Sequence, residues 1–223
     1  MHGLTGGSWK RNKDRTRATV DAIATATNPG STTPGQQLDD ARTRPVHSRR
    51  GANKLAALSL DHQFVAELAT VLGCTVLVGV RVGDAIVFVD HVGAESPALT
   101  FVARTHARRP LYTSAAGKIV LANIPDDEMY RLLELAGPEQ ASDVRPFFAE
   151  LPDIRSRRLA FNRGVTLADA FAVATTLLAP DGSLIAAISA AVDASEAGRL
   201  DDLGQELKKA VTTIGPRYGL EPR

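Results

Sequence analysis

Two β-branched runs separated by only two residues most constrain what this chain can fold into. Cys74-Thr-Val-Leu-Val-Gly-Val-Arg-Val82 and Ala85-Ile-Val-Phe-Val-Asp-His-Val92 flank Gly83-Asp84. Valines recur at every second position of the first run, the period of a strand with one covered face. Gly-Asp is turn chemistry for a two-residue hairpin, and so short a link permits only antiparallel pairing. A second pair, Val165–Ala179 and Ser183–Val192, lies about the turn Pro180-Asp181-Gly182. Ala98–Ala103 reads as a further strand, followed by the basic loop Arg104 to Arg109.

Helical patterns surround these runs. Leu55, Leu58, Leu60, Phe64, Val65, Leu68 and Leu72 form an apolar stripe that ends at Gly73. Asp126-Asp127-Glu128 opens a helix running to Ala136, its acids favourable to the dipole. Pro146–Ala160 reads as another helix. Leu200, Leu203, Leu207, Val211 and Ile214 make Ser195–Tyr218 amphipathic. The order helix, three strands, helices, two strands, helix describes an α+β domain from Leu55 to Val192 on an antiparallel sheet.

The stretch Arg109 to Pro125 joins the two halves: Arg-Pro-Leu-Tyr-Thr-Ser-Ala-Ala-Gly-Lys-Ile-Val-Leu-Ala-Asn-Ile-Pro. Ser114 suits a helix N-cap and Pro125 a stop. Ala116, Ile119, Val120 and Asn123 share one helical face, with Lys118 pointing away. Ala115, Ala116 and Gly117 leave the first backbone N–H groups uncovered, and these donors suit a carboxylate or phosphate. Close packing alone also selects small residues at a helix start.

Pro-Leu-Tyr-Thr-Ser-Ala-Ala-Gly-Lys-Ile-Val-Leu-Ala, followed by Pro-Asp-Asp-Glu, resembles the central motif of the IclR-family transcription regulators. The resemblance covers residues 53–219 and implies a GAF-like effector-binding domain over 53–223. Carried over position by position, it implies backbone donors at Ala115 and Ala116, beside Gly117. It implies a serine contact at Ser189, in Ala-Ile-Ser-Ala-Ala, with Ala191 where the family has a second serine. Ala172 stands where the family often has a cysteine, and Asp169 is the acid nearest a shortened acidic loop. Leu111, Phe171 and Val173 are the walls such a pocket would use. The ligand expected is a small organic acid with an anionic head and an apolar body.

Ahead of that domain the resemblance thins. Ile23-Ala24 to Thr27, Pro29, Ser31 and Thr32 resemble the turn of the family's winged helix-turn-helix. Pro34-Gly35, Gln36 and Gln37 interrupt the recognition helix that should follow, so residues 19–52 are expected to be a degraded or absent winged helix-turn-helix, or a disordered segment. Residues 1–18, with Lys10, Arg11, Lys13, Arg15 and Arg17, read as a flexible basic arm able to neutralise phosphates.

Charge supports this division. The chain's net charge is +1, yet residues 1–54 carry ten basic and four acidic groups and the remainder 16 and 21. A basic head on an acidic body suits a nucleic-acid-facing segment joined to a domain that does not face nucleic acid. Expected DNA binding is weak or lost.

Other chemistries fit poorly. The uncharged apolar run Leu68–Val80 has 13 residues, short of the roughly 18 of a membrane span. No secretory leader is visible and Cys74 is the one cysteine, so a cytoplasmic setting is expected. Tyr112 stands at the first glycine of a phosphate-binding loop pattern. Ser114 and Lys118 are four apart rather than the three of a Ser-x-x-Lys pair. His62, His91 and His106 have no metal-ligand spacing, and Asp90-His91 are strand neighbours facing opposite ways. No enzyme, cofactor or metal is expected. The expectation is a small-molecule-responsive transcription regulator acting as a homodimer or tetramer. The alternative is a stand-alone ligand sensor or interaction domain that has lost DNA binding.

Overall fold

In the computed structural model, residues 60–93, 95–104, 107–134 and 141–220 are described. The basic arm, residues 19–52, Leu55, Leu58 and His106 fall outside them.

Helix α1 (His62–Leu72) starts where the Asp61 carboxylate accepts from the Gln63 N–H, and it ends at Gly73 in the left-handed region. Strands β1 (Thr75–Val82) and β2 (Ala85–Val92) form the expected hairpin, closing with Val82 opposite Ala85. Gly83 has φ 65°, a value the tight turn requires. Next come helix α2 (Pro97–Val102), the short strand β3 (Arg108–Pro110) and helix α3 (Ala115–Ala122). Helices α4 (Asp126–Glu134) and α5 (Ala141–Arg157) follow. Strands β4 (Ala160–Arg163), β5 (Ala170–Leu178) and β6 (Leu184–Asp193) complete the sheet. Helix α6 (Leu200–Ile214) closes the domain between two 3-10 turns, Ala194–Arg199 and Gly215–Tyr218.

The six strands lie in the order β3-β2-β1-β6-β5-β4, with every pairing antiparallel. Alternation along the strands builds a core on each face. Val76, Val78, Val87, Val173, Leu177 and Ile188 pack beneath α1 and α6, with Phe64, Leu68, Leu200, Leu203 and Leu207. Leu77, Ile86, Phe88, Ala174, Ala187 and Ala191 face the other way, toward α3 to α5. Each buried Val, Leu or Phe contributes about 1.5–3 kcal/mol. The small residues of β5 and β6 on the α3 side let that helix lie close to the sheet, and every one of its eight residues is buried.

Several expectations are corrected. Ala98–Ala103 is helical, not a strand: the Ser96 Oγ accepts from the Leu99 N–H, and Pro97 fixes the first-turn φ. The strand instead lies in the basic loop, as β3. Residues Val165–Asp169 belong to the turn before β5. Helix α5 begins at Ala141, ahead of Pro146, and both Pro146 and Pro152 sit inside it. Its buried Val144, Phe147, Leu151 and Ile154 hold the stripe against the core, which outweighs the lost proline donors. Strand β4 lies where that helix had been expected to end. Lys118 does not point away: it is 4% exposed and its Nζ donates to Glu150 Oε2 at 2.6 Å.

Candidate functional site

The start of α3 is shaped by its cap. Ser114 Oγ accepts from the Gly117 N–H at 3.1 Å and donates to the Pro110 carbonyl at 3.1 Å. The Lys118 N–H donates to the Ser114 carbonyl at 2.9 Å. That leaves the N–H groups of Ala115 and Ala116 as the first-turn donors that neither cap nor helix satisfies. Gly117 faces elsewhere: a Cβ there would lie 2.3 Å from the Leu111 carbonyl oxygen, so glycine lets the turn after β3 press against α3.

Opposite this helix start, β6 presents Ser189. The register sets Ser189 between Leu77 of β1 and Ala174 of β5. It is 2% exposed, and its Oγ has no hydrogen-bond partner. Between them lies a cavity of about 20 Å³, walled by Ala115, Ala116, Ser189, Ala172, Phe88 and Val102 among others. It holds about one water-sized group.

Arg109 of β3 also enters this wall. It lies opposite Ile86 in the sheet. Its Nη2 donates to the Phe101 carbonyl at 2.7 Å, and its Cζ sits 4.6 Å from the centre of the Phe101 ring. Its Nε is buried without a partner. Burial first, then the Arg104 charge, pull the guanidinium below the ordinary arginine range. Asn162 and Thr166 complete the wall, and their polar atoms serve each other. Asn162 Nδ2 donates to Thr166 Oγ1 at 2.7 Å, and Asn162 Oδ1 accepts from the Val165 N–H at 2.8 Å.

The structure thus brings together Ala115, Ala116, Ser189 and Ala172 from the sequence reading. Leu111 and Gly117 back the helix start without lining the cavity. Asp169 is exposed, and its carbonyl accepts from the Ala194 N–H. Phe171 and Val173 pack on the α1/α6 face, because neighbours of Ala172 must point the other way. Arg109, Asn162, Thr166 and Phe88 were not singled out. Arg109 opens the stretch already identified, but no sequence signal marked which side chains the fold leaves unpaired.

Larger open clefts exist. One of about 580 Å³ lies beside Cys74, Ser96 and Asp193, but Ser96 Oγ donates to Asp193 at 2.7 Å. Burial pushes the Cys74 thiol up to about 11, so it is no nucleophile near neutral pH. Another of about 330 Å³ runs past Arg81 and Glu128, which pair at 2.8 Å. Asp90 holds His62 Nδ1 at 2.9 Å rather than pairing with the ring of His91. Among the described residues, no group of three or more His, Cys, Asp or Glu could hold a metal ion, and no helix is long and apolar enough to cross a membrane.

Known proteins resemble this arrangement. The family described as Bacterial transcriptional regulator IclR C-terminal matches residues 52–215. The probable transcriptional regulator SauR of Cupriavidus necator is 29% identical over 136 residues, which make up 59% of this chain and 54% of that protein. The chain therefore spans about half the length of this curated relative. Among solved structures, the IclR of Thermotoga maritima aligns with TM-score 0.61 at 18% identity, over 94% of this chain and 99% of that one. The repressor BlcR of Agrobacterium tumefaciens aligns at 0.58 with 23% identity, over 78% and 72%. A double mutant of the PobR inducer-binding domain from Acinetobacter, in complex with 3-hydroxybenzoic acid, aligns at 0.59 with 17% identity, over 71% and 96%. At such identities the structural likeness speaks for the fold. The family match over residues 52–215 makes this chain a member of the IclR family of bacterial transcriptional regulators, which are not enzymes.

Proposed function

We propose that this protein is a ligand-responsive transcription regulator whose effector is a small organic acid, bound between the start of α3 and Ser189. The observation that carries this reading is the Ser189 Oγ, buried and unpartnered in a cavity that also takes in the start of α3. A carboxylate there would accept from the Ala115 and Ala116 N–H groups at the positive end of the helix dipole. Leu77, Phe88, Val102 and Ala172 would enclose its apolar body.

A volume of about 20 Å³ does not hold an organic acid, so part of the wall must retreat. Helix α2 is the natural part to move. It is six residues long and fastened by Ser96 Oγ to Asp193 at 2.7 Å. Apparent affinity then falls by the fraction of molecules in the open state. The acid bound by the PobR domain supplies a first probe, 3-hydroxybenzoate.

DNA contact falls to the segment ahead of the domain, through Lys10, Arg11, Lys13, Arg15 and Arg17, together with Ser31 and Thr32. Acting as a homodimer or tetramer would present two or four such heads. Pro34-Gly35 favours a second reading, a ligand sensor that has lost DNA binding. A mobility shift with the DNA upstream of its own gene, at about 150 mM salt, with and without 3-hydroxybenzoate and related acids, tests both. The first reading predicts a shift that an acid changes in the wild type but not in Ala115→Glu, which adds bulk and a like charge at the donors. Acid binding without any shift leaves the sensor. An acid effect unaltered in Ala115→Glu contradicts the site.

A further inference from the structure

We infer that Arg109 is the charge-reading residue of this cavity, restricting its ligands to carboxylates over neutral molecules of the same shape. The inference rests on taking the cavity as the effector site.

The other donors there select for charge only weakly, through the α3 dipole. A hydroxyl such as Ser189 donates or accepts, and backbone N–H groups bind an amide oxygen as well as a carboxylate. Asn162 and Thr166 bond each other and the Val165 N–H, and the hydrogens they have left are neutral donors. Arg109 differs from all of these. A guanidinium has only donors, and it keeps its charge at neutral pH. Its Nη2 is used by the Phe101 carbonyl, while its Nε is buried and unpartnered.

Among the described residues, no acidic side chain lines the cavity and no ion pair joins Arg109 to a carboxylate. Its near charged neighbour is Arg104, also a cation, whose Cζ lies 5.5 Å from the same Phe101 ring. Arg109 is half-buried, with only its Nε fully covered, and an incoming anion would meet that donor through a charge-assisted hydrogen bond. The α3 dipole adds a field of the same sign. An edge strand holding a cation and a helix start thus act on one anionic group from two elements.

Calorimetry on the full chain with two isosteric pairs tests this: benzoate with benzamide, and isobutyrate with isobutyramide. The wild type should bind at least one acid more than ten-fold tighter than its amide. Arg109→Gln should weaken the acid by about 10- to 100-fold, the range of one hydrogen bond to a charged group, and leave the amide unchanged. Arg109→Lys, which keeps the charge but loses the fork, should retain part of the preference. The Phe101 contact makes a merely structural role the rival explanation, and that role would weaken acid and amide equally. Equal weakening, or a wild-type acid-to-amide ratio kept in both variants, overturns the proposal. If acid binding then still falls in Ser189→Ala and Ala115→Glu, the effector site itself stands. If neither acid binds the wild type, both fall.

Discussion

Gly117→Ala should destabilise the domain, although alanine is the better helix former. The Cβ it adds would lie 2.3 Å from the Leu111 carbonyl oxygen, 2.5 Å from its Cα and 2.6 Å from its carbonyl carbon. Ordinary contact begins near 3.4 Å, so the two segments must part by about 1 Å. All three atoms are backbone, and Leu111 is itself buried. No rotamer change relieves the clash, so the cost falls in the upper part of the overpacking range, about 2–3 kcal/mol. The gain in helix propensity is about 1 kcal/mol, so the expected net loss is about 1–2 kcal/mol.

Two other glycines calibrate that estimate. In Gly204→Ala, within α6, the new Cβ meets the tips of Leu159 at 3.0 Å and Val173 at 3.2 Å. Flexible side chains yield more cheaply than backbone, and propensity offsets the rest, leaving a change near zero. Gly198→Ala meets nothing within 4 Å and should be neutral or slightly stabilising. Urea unfolding of all three at equal concentration measures the order. A loss of this size would also lower Tm by about 2–8 °C for a domain of this length. If Gly117→Ala is as stable as Gly204→Ala, the account of how the turn after β3 presses on α3 is wrong.

Ser189→Ala should keep or slightly raise stability, by up to about 1 kcal/mol, because it removes a buried hydroxyl without a partner. The same change should weaken a bound acid by about 0.5–1.5 kcal/mol, the worth of one hydrogen bond; unfolding and calorimetry on one preparation read both signs, and a stability loss above about 1 kcal/mol counts against the cavity's description. Cys74 should react slowly with iodoacetamide at pH 8, since burial pushes its pKa up to about 11 and holds it as the thiol. Because the folded state binds that proton more tightly than the unfolded chain, stability should fall as pH rises from about 9 to about 11. That slope should be shallower in Cys74→Ala, and an identical slope would show that the thiol is not its source.

The sheet was legible wherever local chemistry and face periodicity agreed. Gly83-Asp84 and Pro180-Asp181-Gly182 announced their hairpins, and the alternating valines of β1 gave its orientation. Ala98–Ala103 misled because Thr100, Phe101 and Val102 carry β propensity, while Ser96 and Pro97, just outside the run, decide the conformation. Strands β3 and β4 are three and four residues long, and pairing rather than pattern creates them. The helix start and Ser189 were reachable through resemblance. Arg109 was not assigned, because its role depends on which side chains the fold leaves unpaired. Lys118 shows the same limit: helical spacing located its face, but the arrival of α5 with Glu150 buried it.

The central claim is that an acid binds where Ala115 and Ala116 meet Ser189. Amide chemical shifts of isotope-labelled protein, titrated with 3-hydroxybenzoate and benzoate, test it most directly. The account predicts the largest saturable shifts at Ala115, Ala116 and Ser189, with smaller ones along α2, all absent in Ala115→Glu. Saturable shifts gathered instead at Gly73, Cys74 and Gly93, with Ala115 and Ala116 unmoved, would contradict it and move the site to the cleft beside Cys74.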